Sequence, residues 1–277
     1  MTRETIARGM DRKLAVQSLF DELSPGYDST GIDFFGVIAR TLVEYARLRE
    51  GSTVVDIGCG AGAALIPAAR AVGARGAAVG IDVAAGMVER AQRAVEELGL
   101  ENVEVRVGDA EAPAVEPGSV DAIVGSLVVF FLPDIEAALE AYARALVVGG
   151  TLAFSTFAGD DDWTPLDETV TRFTPSPPAA EEEAWFESRD EIRAMLEAHH
   201  FHEVAIEEVR HEVSFPNAPA FHEWSWWTGW RSTWLAVPAE QRDEARAAAD
   251  EYLRSLAEPD GSIRLATAVR YTRTRTN

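Results

Sequence analysis

The 277-residue sequence predicts an α/β protein built on a doubly wound sheet that is mostly parallel. Between residues 53 and 157, short β-branched runs alternate with stretches whose apolar residues have helical spacing. A glycine-rich turn follows the first run, as is typical of a strand that leads into a helix. Residues 204–213 and 263–273 alternate between apolar and polar, so we expect a closing pair of strands with an antiparallel strand at the C-terminal edge.

The individual elements follow from the same patterns. Helical spacing predicts two helices before the sheet, within residues 5–23 and 33–50. The predicted parallel strands are 53–57, 77–81, 103–107, 120–126 and 151–157. The predicted connecting helices are 63–72, 84–98 and 133–146, and Gly149-Gly150 is expected to break the last of these. Ser188 and Glu191 have capping-box spacing, so a further helix should run to about Ala198.

Two stretches interrupt the alternation of strands and helices. Residues 158–187 are rich in Pro, Asp and Glu, and residues 216–260 carry a tryptophan cluster before an amphipathic helix at about 239–256. Both follow a strand at the side of the sheet where ligands enter, so they are candidates for a lid. The predicted organisation is N-terminal helices over the site in 1–50, a core in 51–215 and 261–277, and an inserted cap in 216–260.

Composition narrows the range of partners. The 46 acidic and 25 basic residues give a net charge of -21, and the resulting field repels phosphate backbones and anionic lipid. We therefore expect neither a nucleic acid partner nor a membrane partner, and no stretch approaches the roughly 20 apolar residues of a membrane span. The single cysteine, Cys59, and an N-terminal stretch unlike a signal peptide predict a cytoplasmic protein. A homodimer is left open.

The glycine-rich turn is the main candidate for a ligand site. Residues 54–62 read VVDIGCGAG, and glycines without a Cβ allow a ligand to approach the main chain closely. Asp82 ends the next predicted strand, where a carboxylate can accept hydrogen bonds from both hydroxyls of a ribose. Gly58, Gly60 and Ala63 also fit the loose dinucleotide pattern, so the glycines alone do not choose between cofactors.

The residues around the turn distinguish between the possible cofactors. Asp56 lies inside the motif, Asp109 and Ala110 follow the third predicted strand, and residues 119–121 and 131–134 flank the fourth. With these features, residues 51–157 resemble the class I methyltransferases that use S-adenosyl-L-methionine (SAM), particularly the small-molecule group that includes the ubiquinone and menaquinone C-methyltransferases. The resemblance implies a Rossmann-like fold, SAM as the cofactor and methyl transfer to a small, hydrophobic or aromatic substrate.

The resemblance also implies roles for particular residues. Asp82 would bind the ribose hydroxyls, Asp109 would accept from the exocyclic amine of adenine, and Asp56 would help to hold the methionine ammonium. The glycines would pass under the methionine and ribose, and Val83 and Met87 would flank the adenine. The full set of implied cofactor-binding residues is Asp56, Gly58, Cys59, Gly60, Gly62, Asp82, Val83, Met87, Asp109, Ala110, Ser126 and Leu127.

One departure from the family concerns the residue that would act as the general base of the reaction. Several relatives carry a histidine near the end of the fourth strand, whereas residues 127–131 read LVVFF here. This puts in doubt an O-methylation mechanism that depends on such a histidine. The remaining candidates for a catalytic role are His222 and Tyr27. Candidates for substrate contact are Tyr27, Phe131, Trp226 and Trp227.

Other functions are less consistent with the sequence. We predict no metal site, because the consecutive aspartates at 160–162 and the acidic run at 181–183 are typical of solvated loops. A nicotinamide oxidoreductase on the same sheet would need a Ser, Tyr and Lys set, and Lys13, the only lysine, is expected to lie far from any strand end. A third alternative is a SAM-binding subunit or sensor that no longer transfers a methyl group.

Overall fold

A computed structural model describes residues 3–159, 162–175 and 185–277. The strands are β1 (Thr53–Ile57), β2 (Ala77–Asp82), β3 (Val103–Val107), β4 (Val120–Ser126), β5 (Leu146–Phe157), β6 (Phe201–Phe215) and β7 (Ile263–Thr276). They form one seven-stranded sheet in the order β3-β2-β1-β4-β5-β7-β6. Neighbours from β3 to β5 pair in parallel, and β7 pairs antiparallel with both β5 and β6. The predicted fold class is confirmed, with β6 as the outer strand and the C-terminal strand β7 inside it.

Helices pack on both faces of this sheet. Within the described residues they are α1 (Arg3–Leu23), α2 (Phe35–Ala46), α3 (Leu65–Val72), α4 (Ala85–Glu97), α5 (Ile135–Ala145), α6 (Trp163–Thr171), α7 (Arg189–Ala198), α8 (Ala218–Trp226), α9 (Arg231–Ala236) and α10 (Arg242–Ser255). Short 3₁₀ turns at Val129–Phe131 and Ala239–Gln241 precede α5 and α10. No helix in the described part of the chain is long and apolar enough to cross a membrane.

The strands of the sheet centre are buried on both faces, which explains their continuous apolar sequences. Val54 belongs to a core shared with α2, α3 and α4, and the next residue, Val55, belongs to a core shared with α5 and α7. Successive side chains of a strand point to opposite faces, so β1 contributes to both cores. The carboxyl ends of the parallel strands are therefore held rigidly at one edge of the sheet.

Three local features can be compared with the sequence prediction, at Gly149-Gly150, at Pro67 and at Ser188. The helix before Gly149 ends at Ala145 and β5 begins at the next residue, so the two glycines lie inside the strand. Gly149 has a φ of 72°, and the pairing of β5 with β4 shifts register in this region. Because the helix has already ended at Ala145, the prediction that the two glycines break it was wrong. Pro67 lies in the first turn of α3, where its missing N–H costs no hydrogen bond. The capping box of Ser188 and Glu191 is confirmed.

A group of helices that we call the cap follows the sheet edge. It comprises α6 together with α8, α9 and α10, that is, residues 162–173 and 217–256. Helix α6 packs against α9 and α10, and α8 contacts both α9 and α10. The two stretches that interrupt the sequence pattern thus meet in one layer. The first of them supplies the helix against which the tryptophan-rich segment packs.

Candidate active site

A cavity of about 770 Å³ lies at the carboxyl ends of the central strands. Its floor is formed by residues at the ends of β1, β2 and β4 and after β3, such as Gly58, Asp82, Ser126 and Asp109. Its walls come from α1, from the segment that leads into α2, and from the cap. This is the edge of a doubly wound sheet where ligands bind in general.

The glycine turn forms one side of the cavity. Gly58 and Gly60 line it with φ angles of 61° and 52°, a backbone region that favours glycine. A Cβ added to Gly60 would meet no protein atom within 4 Å, whereas one added to Gly58 would clash with the side chain of Val128. Gly60 therefore leaves open space on the cavity side, as a ligand over the main chain requires. Gly62 is also at positive φ but faces Ile66 and lies outside the cavity lining.

Asp82 holds this turn in place. Its Oδ2 accepts a hydrogen bond from the Gly60 amide at 2.8 Å, and its Oδ1 accepts from the Ala84 amide at 2.9 Å. Burial raises the pKa of Asp82, while the two backbone amides act in the opposite direction. Each carboxylate oxygen retains a further lone pair, so the group can still accept from a ligand in the cavity.

Asp56 and Cys59 lie inside the motif and do not line the cavity. Asp56 is 1% exposed, and neither of its carboxylate oxygens has a hydrogen-bond partner of standard geometry. Burial raises its pKa, and the charge of Asp82 adds to the rise. Burial likewise raises the pKa of the Cys59 thiol, so a nucleophilic thiolate is not favoured. The Leu65 amide acts against that rise for Asp56, and a buried carboxylate with so few partners is a group to which a cationic ligand gives compensation.

Asp109 and Ala110 line the cavity beyond β3, as does Val83 after β2. Asp109 accepts from the Glu111 amide at 2.9 Å and from the Lys13 ammonium at 2.6 Å, and Lys13 also pairs with Glu111. The expectation that Lys13 lies far from any strand end was wrong, because α1 crosses the carboxyl edge of the sheet. Burial alone would lower the pKa of Lys13, but its two carboxylate partners raise it.

Of two other residues in the implied cofactor set, Met87 lies away from its expected position and Leu127 lies in the cavity lining as expected. Met87 is fully buried in a small cluster with Leu23 and Ala84 and lies outside the cavity lining. Leu127 lines the cavity with a φ of 53°, an uncommon conformation for a residue with a Cβ. Its amide donates to the Ser155 hydroxyl at 3.1 Å, which fixes the chain as it leaves β4.

Aromatic side chains dominate the rest of the cavity wall. Ring centroids of Phe34 and Trp224 are 5.2 Å apart, those of Trp163 and Trp224 are 5.4 Å apart, and Tyr27 stacks on Phe35 at 5.1 Å. The aromatic residues that line the cavity are Phe20, Tyr27, Phe34, Phe35, Phe130, Phe131, Phe157, Trp163, Trp224 and Trp230. Walls of this kind suit a large apolar or aromatic ligand.

The structure brings Tyr27 and Phe131 to the cavity, as the sequence predicts. Burial is the main reason that the pKa of Tyr27 is raised, and the charges of Asp28 and Asp82 add to it. Its hydroxyl therefore stays protonated at neutral pH. Tyr27 suits the role of a hydrogen-bond donor or an apolar wall better than that of a general base.

The predicted contacts of Trp226 and Trp227 with the substrate do not fit the structure, since neither lines the cavity. Trp226 is 38% exposed with the Arg231 guanidinium over its ring, and Trp227 lies against Gly26. Residues two apart on a helix do not share a face, so Trp224 points inward and Trp226 outward. The spacing of Phe221 and Trp224 was the signal that identifies the buried face.

His222 also lies outside the cavity lining. It is 7% exposed, and its Nε2 is 2.7 Å from Asp250 Oδ1 on α10. Burial lowers the pKa of His222, and the hydrogen bond to Asp250 partly offsets this. The residue links two helices of the cap, and its prediction as a general base does not fit this geometry.

Polar groups in the cap half of the cavity were missed by sequence reasoning. Asp167 and Glu168 on α6 and the hydroxyls of Thr228 and Ser232 line it. Burial raises the pKa of Asp167, and a hydrogen bond from the Thr233 hydroxyl acts against that rise. These residues carry no local motif, and only the packing of α6 on α9 brings them together.

The expectation of no metal site involves residues that are only partly described. Asp160, Asp161 and residues 181–183 lie outside the described residues. Asp162 accepts from the Ala266 amide at 2.7 Å and pairs with Arg210 at 3.6 Å, so it ties the start of α6 to the sheet. Among the residues that the structure describes, no group of three or more His, Cys, Asp or Glu side chains has a metal-binding arrangement.

Comparison with known proteins identifies the family. Residues 54–150 match the methyltransferase domain family. The chain is also 34% identical over 253 residues to the nocamycin O-methyltransferase of Saccharothrix syringae, covering 86% of this chain and 89% of that protein. The chain belongs to the SAM-dependent methyltransferases. This methyltransferase uses SAM as its cofactor, and the family assignment sets aside the nicotinamide oxidoreductase alternative.

Two further comparisons agree with this assignment. The methyltransferase is 44% identical over 144 residues to the aklanonic acid methyltransferase DauC of Streptomyces, covering 52% of this chain and 66% of that protein. In structure it resembles the YcgJ protein of Bacillus subtilis with a TM-score of 0.58 and 21% identity, covering 87% of this chain and 98% of that chain. The latter likeness concerns the fold alone.

Proposed function

We propose that this methyltransferase transfers the methyl group to an oxygen of a fused-ring aromatic small molecule, and that the accepting oxygen is already ionised at neutral pH. The observation that carries the proposal is the composition of the cavity wall. It is lined by aromatic side chains, and no histidine is among its described lining residues. An acceptor such as a carboxylate needs no base, because it has lost its proton before it binds.

The names of the relatives support the oxygen acceptor. One is a nocamycin O-methyltransferase, and another acts on aklanonic acid, which is an acid by name. An acid of this kind would enter the apolar cavity as an anion. Removing water from it makes its oxygen a better nucleophile, and holding it in line with the methyl group supplies much of the remaining rate.

For the cofactor we propose the following positions, which the geometry supports. Asp82 accepts from the ribose hydroxyls while it holds the Gly60 amide. Asp109 accepts from the adenine amine, and Gly60 leaves room for the chain of the cofactor. Asp56, which is buried beside the glycine turn, balances the methionine ammonium through water. Bound SAM supplies a methyl group on a positively charged sulfur, which is the electrophile of the reaction.

The protein's own residues then have three tasks. Phe130, Phe131 and Phe157 exclude water from the end of β4, where the methyl group would be presented. Tyr27 stays protonated and stacks on Phe35, so it is placed to donate to the bound acid or to cover it. We also propose that the N-terminal helices in 1–50 and the segment 216–260 cover a core of 51–215 and 261–277, with α6 as part of the cap.

The test is an assay of the demethylated cofactor across matched acceptors. A panel of fused-ring compounds would present a carboxylic acid, a weakly acidic phenol, an amine or an activated carbon on the same ring system. We expect turnover with the acid, identified as the methyl ester by mass spectrometry, and a kcat that is flat between about pH 6 and 9 because the acid is ionised throughout. Turnover confined to amines or carbon acceptors contradicts the proposal, as does a rate that follows a base titrating near pH 7.

A further inference from the structure

Asp167 lies in the cap half of the cavity, on the same face of α6 as Trp163. The two residues are four positions apart, so their side chains are neighbours along the helix. Trp163 lies in the aromatic wall with Trp224 and Trp230, at centroid distances of 5.4 and 6.0 Å. Asp167 is thus a carboxylate set into an apolar wall, away from the glycine turn that serves the cofactor.

The hydrogen bonds of Asp167 leave it with acceptor capacity. The Thr233 hydroxyl donates to it, and no ion pair to Asp167 is present among the described residues. A carboxylate has about four acceptor positions, so one donor leaves most of them to a ligand or to water. Burial raises its pKa, which is the cost of holding the charge away from bulk water.

Two neighbouring hydroxyl groups, those of Thr228 and Ser232, can also act as acceptors. The Thr228 hydroxyl donates to the Ser225 carbonyl at 3.3 Å, and the Ser232 hydroxyl donates to the Gly229 carbonyl at 2.7 Å. Their protons are therefore used, and their oxygens present lone pairs. Lys13 is the cation in the described lining, and it is paired with Asp109 and Glu111 at the cofactor side. In this part of the described lining, no cation is present that would match the charge of Asp167.

We infer that Asp167 binds a hydrogen-bond-donating group of the substrate, a hydroxyl or an ammonium, at the end of the molecule remote from the accepting oxygen. The inference rests on the proposed function, since it assigns the orientation of the same aromatic acid. The acid end would meet the cofactor, and the donor end would meet Asp167. A substrate without the donor covers this half-buried carboxylate without giving it a partner, which is an effective way to reject that substrate.

Calorimetry with the full chain saturated with S-adenosylhomocysteine tests the inference. The probes are 2-naphthoic acid, 6-hydroxy-2-naphthoic acid and 6-(aminomethyl)-2-naphthoic acid, which share one ring system and one acid. We expect the wild-type protein to bind one or both donor-bearing probes about tenfold or more tighter than 2-naphthoic acid, as is typical of a hydrogen bond to a charged group. Whichever of the two binds tighter identifies the donor as a hydroxyl or an ammonium.

Variants connect this preference to Asp167. Asp167→Asn and Asp167→Leu should bring the ratio of affinities towards one, and the Leu variant should bind 2-naphthoic acid tighter than wild type does. Glu251→Gln, at an exposed position of α10, should keep the wild-type ratio. The affinity for S-adenosylhomocysteine and the circular dichroism spectrum should be the same in all variants, which shows that the fold and the cofactor site are intact.

The outcomes separate the inference from the proposed function. Equal binding of all three probes to the wild-type protein, or a preference that survives in both Asp167 variants, overturns the role of Asp167 and leaves the proposed acceptor in place. If none of the three acids binds while S-adenosylhomocysteine does, the proposed substrate class is wrong, and the inference falls with it.

Discussion

Each carboxylate oxygen of Asp82 accepts a hydrogen bond from one backbone amide, Oδ2 from Gly60 and Oδ1 from Ala84. In Asp82→Asn one oxygen becomes an NH₂ group, which faces an N–H donor and can no longer accept. We expect the affinity for S-adenosylhomocysteine to fall by about 10- to 100-fold, which corresponds to the loss of one charge-assisted hydrogen bond. Isothermal titration calorimetry measures this directly, and an unchanged dissociation constant would remove Asp82 from the cofactor site.

Gly60 and Gly58 give a matched pair of alanine variants. Both have positive φ, so alanine costs about 1–2 kcal/mol of folding stability at either site. The new methyl group of Gly60→Ala meets no protein atom, so the melting temperature should fall only by a few degrees while cofactor binding is lost. Gly58→Ala also clashes with Val128, which adds about 1–3 kcal/mol of strain.

Thermal unfolding and calorimetry on both variants check this pair. The Gly60 variant should be folded and unable to bind, and the Gly58 variant should be clearly less stable than the Gly60 variant. Tight binding of S-adenosylhomocysteine by Gly60→Ala would mean that the cofactor does not pass over this residue.

The positions of residues that follow strands were predictable, because the carboxyl ends of parallel strands meet at one edge of the sheet. The positions of Gly58, Gly60, Asp82 and Asp109 at one edge follow from this rule. The partner of Asp109 was not predictable in the same way. Lys13 is 96 residues away in sequence, and only the path of α1 over the sheet brings it there.

At the scale of helices, the cap offers a second matched pair of variants. Trp230 lines the cavity between Trp163 and Phe221, whereas Trp226 lies outside it beneath Arg231. Trp230→Leu should raise the KM for the acceptor by about 2- to 12-fold, the size of a lost aromatic contact, and leave the KM for SAM unchanged. Trp226→Leu should change neither value, and steady-state kinetics with both substrates varied decides between the two residues.

His222 and Asp250 link α8 to α10, and their role should be visible as a pH dependence of stability. Burial holds the pKa of His222 below the ordinary value, so the unfolded chain binds this proton more readily than the folded one. The contribution of His222 to stability is therefore complete above the unfolded pKa of about 6.5 and is lost as the pH falls below it. His222→Gln keeps a donor for Asp250 but does not titrate.

Urea unfolding between pH 5 and 7.5 measures this contribution. The free energy of unfolding should fall more steeply towards acid pH in the wild-type protein than in His222→Gln, since all other titrating groups are common to both. The kcat of the variant should have the wild-type pH profile, because His222 does not reach the cavity. Parallel unfolding curves would show that His222 is not held neutral by the fold.

The helices of the cap show where sequence patterns stop being informative. A dense tryptophan cluster predicted burial correctly in general, but which ring faces the cavity depends on where α8 begins. Asn217 caps that helix by accepting from the Ala220 amide, and this start directs Trp224 inward. The contribution of α6 depends on long-range packing against α9 and α10, so Asp167 had no signal in its own neighbourhood.

For the molecule as a whole, the layers of the fold were predictable and the closure of the cavity was not. The alternation of strands and helices specifies a sheet that is covered by helices on both faces. The neighbouring residues Val54 and Val55 of β1 belong to the cores on these two faces. Closure requires α1, the segment before α2 and the cap to meet over one edge. The first two parts end by Phe34 and the cap begins at Asp162, so no local sequence pattern relates them.

The net charge of -21 is a property of the whole chain that should affect its stability. The surface ion pairs are mostly exposed and contribute little each, so repulsion among the excess carboxylates should dominate the response to salt.

Raising NaCl from about 0.01 M to 0.15 M shortens the screening length from about 30 Å to about 8 Å. If this relieves on the order of 1 kcal/mol of repulsion, the melting temperature should rise by about 2–4 °C. Scanning calorimetry at fixed pH measures the shift, with KCl as a control for ion identity. A fall in melting temperature with either salt would mean that attractive pairs outweigh the repulsion of the excess acidic residues.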